Sequence, residues 1–364
     1  MGSLTEAPRT NLPNSGHLAP PDFLSLKDVP DSYSWPQIDF NSSVGLNDPL
    51  VSVPVVDLTQ PNVVKLVGRA CQEWGAFQVI NHGIPMGLIK DTESEARRLF
   101  SLPTEQKHKA LRPPDGSTGY GLARITAYFD KKMWHEGFTM MGSPVEDASK
   151  LWPEKYKSFC DVMEEYQKEM KKLTGRLRRL ILASLGLTTE EDLMLAGLGP
   201  SGEFTEGCIT PLQLNSYPSC PNPNRAMGLA PHTDTSIFTI LYQGDISGLQ
   251  IFRDGVQWVT VPPVPGAFVV NAGDLLHILS NGRYTAAVHR VLVNQAYSRI
   301  SIAYFYIPTP NTQIKPFSNL LEQGDFPRYR TVSCGEYIST KAKNQGKALS
   351  VISNMEQIEN HENH

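Results

Sequence analysis

The sequence lacks the marks of a secreted, membrane-spanning or zinc-binding protein. It has only five cysteines in 364 residues, and none of them form a CxxC pair, which argues against a disulfide framework or a structural zinc site. No apolar run reaches the roughly 18 residues that a membrane span requires. The first residues also lack a basic segment followed by an apolar one. These absences predict a cytoplasmic protein.

Neither sign of charge is in large excess. A net charge of −4 argues against nucleic acid or an anionic membrane as the main partner. One basic cluster lies between Lys168 and Arg179, but apolar residues recur within it every three or four positions. This spacing indicates the solvated face of an amphipathic helix rather than a polyanion site. The content of 40% hydrophobic and 19% charged residues is typical of a globular protein with a large core.

The chain changes character along its length. Residues 1–50 are rich in Pro, Ser and Asn, which predicts an extended arm that wraps the domain or is partly disordered. Residues 51–205 predict a mainly helical region, and residues 311–364 a C-terminal helical segment and tail. Between them, residues 206–310 alternate short β-branched and aromatic runs with turn residues. The order favours an α+β fold in which N-terminal helices buttress a jelly-roll (double-stranded β-helix) core.

The predicted strands of this core are short. They are Leu212–Tyr217, Phe238–Tyr242, Leu249–Arg253, Gln257–Val261, Ala267–Asn271, Val288–Asn294 and Arg299–Tyr306. Strands of this length, separated by turn residues at close intervals, are typical of a β-sandwich or barrel.

Two histidines and one aspartate predict a metal centre. In a strand, residues i and i+2 point to the same face, so His232 and Asp234 would converge. His289 lies in another predicted strand. Two His and one carboxylate form the facial triad of non-haem Fe(II), which leaves positions open for substrate and dioxygen. The other histidines considered are expected to be ordinary hydrogen-bonded residues: His82, His108, His135 and His277.

A second constellation suits a carboxylate ligand. Arg299 and Ser301 share one face of a later predicted strand, where a guanidinium and a hydroxyl can bind a carboxylate together. Asn215 and Tyr217 repeat the i, i+2 spacing earlier in the core, and each pair alone also fits an ordinary strand face. With the triad, these residues predict a pocket for a 2-oxoacid. Its keto and one carboxyl oxygen would chelate iron, and its far carboxylate would meet Arg299.

At these residues the chain resembles the plant 2-oxoglutarate- and Fe(II)-dependent dioxygenases. The resemblance is carried by WGAFQVINHG at 74–83, by the triad and by the Arg-x-Ser pair. Within that family the chain is most similar to the gibberellin 3-beta-dioxygenases, through GYGLARI at 119–125 and KMWHEGFT at 132–139. The resemblance implies hydroxylation of a gibberellin at C3, with 2-oxoglutarate and O2 converted to succinate and CO2 and with ascorbate as reductant.

The resemblance also implies a substrate pocket. A gibberellin is a diterpenoid acid, so we expect apolar walls and one cationic anchor, in a monomer that binds neither nucleic acid nor membrane. Arg124 is the candidate anchor, and a surface salt bridge is the alternative role for this residue. Phe305 is expected near the pocket from strand alternation and its position in the family. Further candidate wall residues, for which a simple core role is the alternative, are Tyr120, Tyr128, Phe129 and Trp134.

Two other functions stay open. The residues Ala286 to Val288 before the distal histidine and the Ile307-Pro308 pair differ from what is usual in the family. These departures favour, as the alternative, a related oxygenase that hydroxylates or desaturates another specialised metabolite. A third reading is a jelly-roll binding protein without catalysis. The presence of all five triad and clamp residues argues against it.

Overall fold

The structure, a computed structural model, describes residues 19–36, 52–205, 207–255, 257–321 and 326–354. The strands are β1 (Val55–Asp57), β2 (Ala76–Ile80), β3 (Gly119–Gly121), β4 (Glu136–Met140), β5 (Cys208–Ile209), β6 (Leu212–Tyr217), β7 (Met227–His232), β8 (Phe238–Tyr242), β9 (Leu249–Arg253), β10 (Gln257–Thr260), β11 (Phe268–Ala272), β12 (His289–Leu292), β13 (Arg299–Pro308), β14 (Gln313–Ile314) and β15 (Val332–Ser333). The α-helices are α1 (Val63–Glu73), α2 (Met86–Phe100), α3 (Thr104–His108), α4 (Val145–Leu151), α5 (Tyr156–Ser184), α6 (Glu190–Leu195), α7 (Asp274–Leu279), α8 (Cys334–Asn344) and α9 (Ala348–Val351). A short 3-10 helix, Arg124–Tyr128, also bears on the site.

Two sheets enclose an apolar interior. The larger has the order β1-β2-β11-β8-β13-β6-β4-β3, with β5 beside β13, and the smaller has the order β10-β9-β12-β7. Leu241 and Ala303 of the larger sheet meet Leu249, Ile251 and Val291 of the smaller one in a single buried cluster. Two sheets packed face to face over such a cluster form the predicted jelly roll, so the α+β fold is confirmed.

Helices cover the opposite face of the larger sheet. Ile300 and Ile302, which alternate with Arg299 and Ser301 along β13, join a second buried cluster with Met163 and Met170 of α5. The basic residues of α5 include the exposed Lys168, which pairs with Glu165. The basic cluster is therefore a solvated helix face, as its spacing indicates.

The strands of the core lie close to their predicted positions. β6, β8 and β9 have the bounds that the sequence predicts, and the other four predicted strands differ by one or two residues at their ends. Residues 51–205, predicted to be mainly helical, contain α1 to α6 and also supply β1 to β4 of the larger sheet.

The predicted N-terminal arm is described only in part. Within residues 19–36, Phe23 and Tyr33 pack on Trp134, with ring centroids 4.8 and 5.9 Å away. The rest of the predicted arm lies outside the described residues. Within the described ranges, no helix has both the length and the apolar character needed to cross a membrane.

Gly75 joins α1 to β2 at a point where the backbone leaves no room for a side chain. Its φ is +65°, and an added Cβ would lie 2.3 Å from the carbonyl oxygen of Thr285. Its own carbonyl accepts the N–H of Ala272 at 2.7 Å. We expect Gly75→Ala to destabilise the fold by about 2 kcal/mol or more, measured as a fall in Tm. The matched control, Gly87→Ala in α2, adds a Cβ to open space and should leave Tm unchanged or slightly raised. Equal Tm values for the two variants would contradict this account.

Candidate metal centre and neighbouring pocket

Three ligating side chains meet where two strands of the smaller sheet lie side by side. β7 ends at His232 and β12 begins at His289, and these residues are direct partners across the sheet. The ligand atoms of His232, Asp234 and His289 all lie within 4.8 Å of one another. Oδ1 of Asp234 is 3.6 Å from Nε2 of His232 and 3.8 Å from Nε2 of His289. Among the described residues, no other group of three or more His, Cys, Asp or Glu side chains is arranged in this way.

Asp234 reaches the centre by a different route from the predicted one. Strand alternation predicts His232 and Asp234 on one face of a strand, but β7 ends at His232 and Asp234 lies in the loop that follows. The start of α7 holds this loop: the N–H of Asp274 donates to the carbonyl of Asp234 at 2.8 Å, and the N–H of Gly273 to that of Ile237 at 2.9 Å. The prediction of a shared strand face is therefore wrong, and loop anchoring produces the convergence.

Each ligand is oriented by a hydrogen bond that leaves one atom for a metal. Nδ1 of His232 lies 2.8 Å from the carbonyl oxygen of Ala230, and Nδ1 of His289 lies 3.0 Å from that of Ala287. Because a carbonyl only accepts, both Nδ1 atoms carry a proton, and Nε2 is the ring nitrogen of each histidine that can bind a metal. Thr239 donates to Oδ2 of Asp234 at 2.6 Å, which leaves Oδ1 for a metal.

The charges of the cluster also suit a cation. Burial lowers the pKa of His289 to about 4, and repulsion from His232 acts in the same direction, so the His289 imidazole is neutral at pH 7. Burial alone would raise the pKa of Asp234, but the two histidines and the Thr239 hydroxyl hold this pKa below its ordinary value. One carboxylate with two imidazoles is the donor set of the non-haem Fe(II) facial triad. The residues present therefore fit iron.

Helix α8 holds Thr233, the residue between the ligands His232 and Asp234, by hydrogen bonds. Nζ of Lys341 donates to the carbonyl and the hydroxyl of Thr233 at 2.7 and 2.9 Å and to Oδ2 of Asp274 at 2.5 Å. Tyr337 of the same helix donates to that Asp274 oxygen at 2.8 Å. All three ammonium hydrogens are thus used. Sequence reasoning missed this contact, because Lys341 and Thr233 are 108 positions apart and no local motif marks the pair.

The predicted carboxylate clamp is assembled by two neighbouring strands of the larger sheet. Arg299 lies opposite Tyr217, and Ser301 lies opposite Asn215, in the register of β13 with β6. Nε of Arg299 donates to the carbonyl of Ile246 at 3.0 Å. Neither terminal guanidinium nitrogen has a hydrogen-bond partner of good geometry among the described residues, although the Tyr217 hydroxyl lies close enough to interact with Arg299 and with Ser301. Because such unpaired donors are costly, the fork fits the carboxylate of a ligand such as 2-oxoglutarate.

The structure places the candidate wall residues and the candidate anchor at different depths. Phe305 lies on β13 two residues from Ala303 and is half-buried against the interior cluster. Phe129 is half-buried, close to Met133 and Ala230, and Trp134 is fully buried between Phe23 and Tyr33. The candidate anchor, Arg124, is exposed, and its guanidinium donates to the carbonyls of Gly116 and Ser117 at 3.2 and 2.6 Å. The backbone carbonyl of Tyr128 accepts the side-chain amide of Gln345, just after α8.

Tyr120 does not fit the predicted wall role. It pairs with Phe138, which pairs with Leu214, which in turn pairs with Ile302. Partners across a sheet share a face, so Tyr120 lies on the helix-covered side, away from Arg299 and Ser301. Its hydroxyl donates to Glu136 in that layer. The face on which Tyr120 lies follows from the register across four strands and cannot be predicted from the local sequence.

The four other histidines among the described residues are hydrogen-bonded, as expected. Each has a hydrogen-bond partner: His82 with Gly266, His108 with Pro20, His135 with Asn215, and His277 with Tyr284 and Tyr329.

Family models match two segments of the chain. Residues 208–308 match the 2OG-Fe(II) oxygenase superfamily, and residues 53–158 match the non-haem dioxygenase in morphine synthesis N-terminal family. The chain is 50% identical to the gibberellin 3-beta-dioxygenase 1 of Pisum sativum, over 97% of this chain and 94% of that protein. It is 47% identical to the gibberellin 3-beta-dioxygenase 1 of Arabidopsis thaliana, over 94% of this chain and 95% of that one.

Two solved structures that are similar to this chain have the same fold. JOX2 in complex with 2OG, Fe and JA is 32% identical with a TM-score of 0.73, covering 86% of this chain and 90% of that one. The rice dioxygenase for auxin oxidation is 25% identical with a TM-score of 0.67, covering 83% of this chain and 100% of that one.

The Lys341 contact generates a prediction about metal affinity. Lys341→Met removes two hydrogen bonds to Thr233, in the loop that carries Asp234, and one to Asp274, at the start of the helix that holds this loop. We therefore expect the Kd for Mn(II), measured by calorimetry, to rise about tenfold. Lys343→Met is the matched control, because Lys343 lies exposed on the same helix. This control should bind Mn(II) like the unmodified protein. Equal Kd values for all three proteins would show that the loop does not need Lys341.

Proposed function

The chain belongs to the 2-oxoglutarate- and iron(II)-dependent oxygenases, and we propose that it hydroxylates a gibberellin at C3, on the beta face. It is a 2-oxoglutarate-dependent dioxygenase that uses iron, O2 and a small-molecule substrate. One observation carries the proposal: a largely buried His-Asp-His triad and a buried Arg299 guanidinium occur in a chain 50% identical to a gibberellin 3-beta-dioxygenase.

The chain's own residues have separable tasks in this reaction. His232, Asp234 and His289 would hold the iron, which supplies the oxidation of the substrate by O2 while 2-oxoglutarate is converted to succinate and CO2. Arg299 and Ser301 would bind the far carboxylate of 2-oxoglutarate and so orient its keto end toward the triad. The protein contributes position, charge and exclusion of water.

A gibberellin substrate needs apolar surface and one cation. Ile125 of the 3-10 helix and Phe129, just after it, pack against the same small cluster as Leu229 of β7, three residues before His232. Among the described residues, no Asp or Glu side chain forms an ion pair with Arg124, so its charge is available to a substrate carboxylate. A substrate that lies along this helix would approach the triad from the end of β7.

The proposal can be tested directly with purified protein. Incubation with Fe(II), ascorbate, 2-oxoglutarate and a panel of gibberellin precursors should yield products hydroxylated at C3, identified by mass spectrometry, with an equal amount of succinate. Asp234→Ala should form no succinate, because the triad loses its only charged ligand. Oxygen inserted at another carbon, or turnover only of unrelated metabolites, would instead support the alternative of a related oxygenase in specialised metabolism. The cytoplasmic location and the monomeric state stay predictions from the sequence.

Arg124 can be tested separately as the anchor. We expect Arg124→Ala to raise the KM for a gibberellin acid about fivefold to tenfold, through loss of a partly solvated ion pair. The KM for the methyl ester of the same gibberellin should not change. Arg69→Ala, which also removes one exposed positive charge, is the control. Equal effects on acid and ester, or none on either, would refute the anchor role.

A further inference from the structure

We propose that His135 is a positioning residue for the co-substrate: it fixes the amide of Asn215 so that the Ser301 hydroxyl is free to donate to the far carboxylate of 2-oxoglutarate. The inference deepens the proposed function and rests on it only through the use of 2-oxoglutarate. It assigns a task to a histidine whose expected role was that of an ordinary hydrogen-bonded residue.

The three side chains form a chain of hydrogen bonds across three strands. His135 immediately precedes β4 and is fully buried, and its Nε2 lies 2.9 Å from Oδ1 of Asn215 on β6. Nδ2 of Asn215 donates to Oγ of Ser301 on β13 at 3.3 Å. Asn215 and Ser301 are direct partners across the sheet, so their backbones fix this contact. This row of hydrogen bonds ends at Ser301, two residues along β13 from the buried guanidinium of Arg299.

The hydrogen bonds have a direction. Oδ1 of Asn215 only accepts, so Nε2 of His135 must carry the ring proton. Burial lowers the pKa of His135 to about 4, so the ring is neutral at pH 7 and its Nδ1 is a bare acceptor. This Nδ1 is buried and has no partner among the described residues. The opposite tautomer would bury an unpaired N–H there, which proteins tolerate less well than an unpaired acceptor.

The direction decides what Ser301 can offer a ligand. Because Asn215 donates to Oγ of Ser301, the Ser301 hydroxyl keeps its own hydrogen for another acceptor. The Ser301 hydroxyl, the terminal nitrogens of Arg299 and the neighbouring Tyr217 hydroxyl can then all donate, as a carboxylate requires. If the Asn215 amide turned by 180°, its oxygen would face Ser301 and take that hydrogen. His135 prevents the turn, because its N–H would then meet the amide N–H.

A purely structural role for His135 is the competing explanation. Its ring packs on Tyr217, with centroids 5.1 Å apart, so any change at this position also disturbs the clamp sterically. A useful test must therefore separate loss of the donor from loss of packing. It must also report on the far carboxylate in particular.

Anaerobic titration provides this separation. Protein loaded with Fe(II) is titrated with 2-oxoglutarate, and the visible absorption of the chelate gives Kd without turnover. We expect His135→Leu to raise this Kd about tenfold, and His135→Gln, whose amide N–H can replace Nε2, to stay within about threefold of the unmodified protein. For 2-oxovalerate, which has a methyl group in place of the far carboxylate, all three proteins should have equal Kd values. The Kd for Fe(II) itself should not change.

Several outcomes would overturn the proposal. An unchanged Kd for 2-oxoglutarate in His135→Leu would contradict it. So would an equal rise in the Kd for 2-oxoglutarate and for 2-oxovalerate, or a His135→Gln variant whose Kd for 2-oxoglutarate is as high as that of His135→Leu. If His135→Leu does not fold, His135→Phe keeps an aromatic ring on Tyr217 while it removes the donor. In a Ser301→Ala background the same substitution should add nothing, since the two residues act through one hydrogen bond. The titration contains no gibberellin, so a wrong substrate assignment would leave its result unaffected.

Discussion

The register between β7 and β12 is the constraint on which the site depends. It sets His232 directly opposite His289, with ring centroids 4.2 Å apart. A slip of one residue would turn one imidazole to the outside of the smaller sheet and destroy the centre. Each histidine then donates from Nδ1 to the carbonyl two residues before it, so the two strands orient their ligands in the same way. Asp234 is added from a loop, and that loop is held by α7 and α8 rather than by the sheet.

The sequence predicts those parts of the site that are encoded locally. The spacing of Arg299 and Ser301 on a strand fixes their shared face, and the strand runs around them have bounds close to the observed ones. The parts that fail depend on distant contacts. Strand alternation does not predict that β7 ends at His232, because hydrogen bonds from the start of α7 set the path of the loop that follows. The face on which Tyr120 lies follows from register across four strands, and Lys341 reaches Thr233 from the far end of the chain.

The two departures from the usual family residues have a limited effect in the structure. His289 is oriented by the backbone carbonyl of Ala287, so this hydrogen bond does not depend on which side chain stands there. Ile307 pairs with Ile209 of β5 and packs against the helix-side cluster rather than the interior one. Both observations argue against an effect of these positions on the reaction. We therefore expect substrate choice to depend on the segment around Arg124 and Phe129.

The metal centre and the proposed carboxylate clamp lie on different sheets, and this division bears on the length of the co-substrate that both could bind. The triad belongs to the smaller sheet and its loop, whereas Arg299 and Ser301 belong to the larger sheet. A 2-oxoacid bound by both must therefore reach across the interior, and packed sheets keep a nearly constant separation of roughly 10 Å. Ile251, Val291 and Ala303 fill the space between the sheets beside that path and maintain the separation. Nε of Arg299 is held by the carbonyl of Ile246, in the connection between β8 of one sheet and β9 of the other. If Arg299 and Ser301 bind the far carboxylate as proposed, the packing of the two sheets would set the length of the 2-oxoacid, and the clamp residues would require only that its far end be an acceptor.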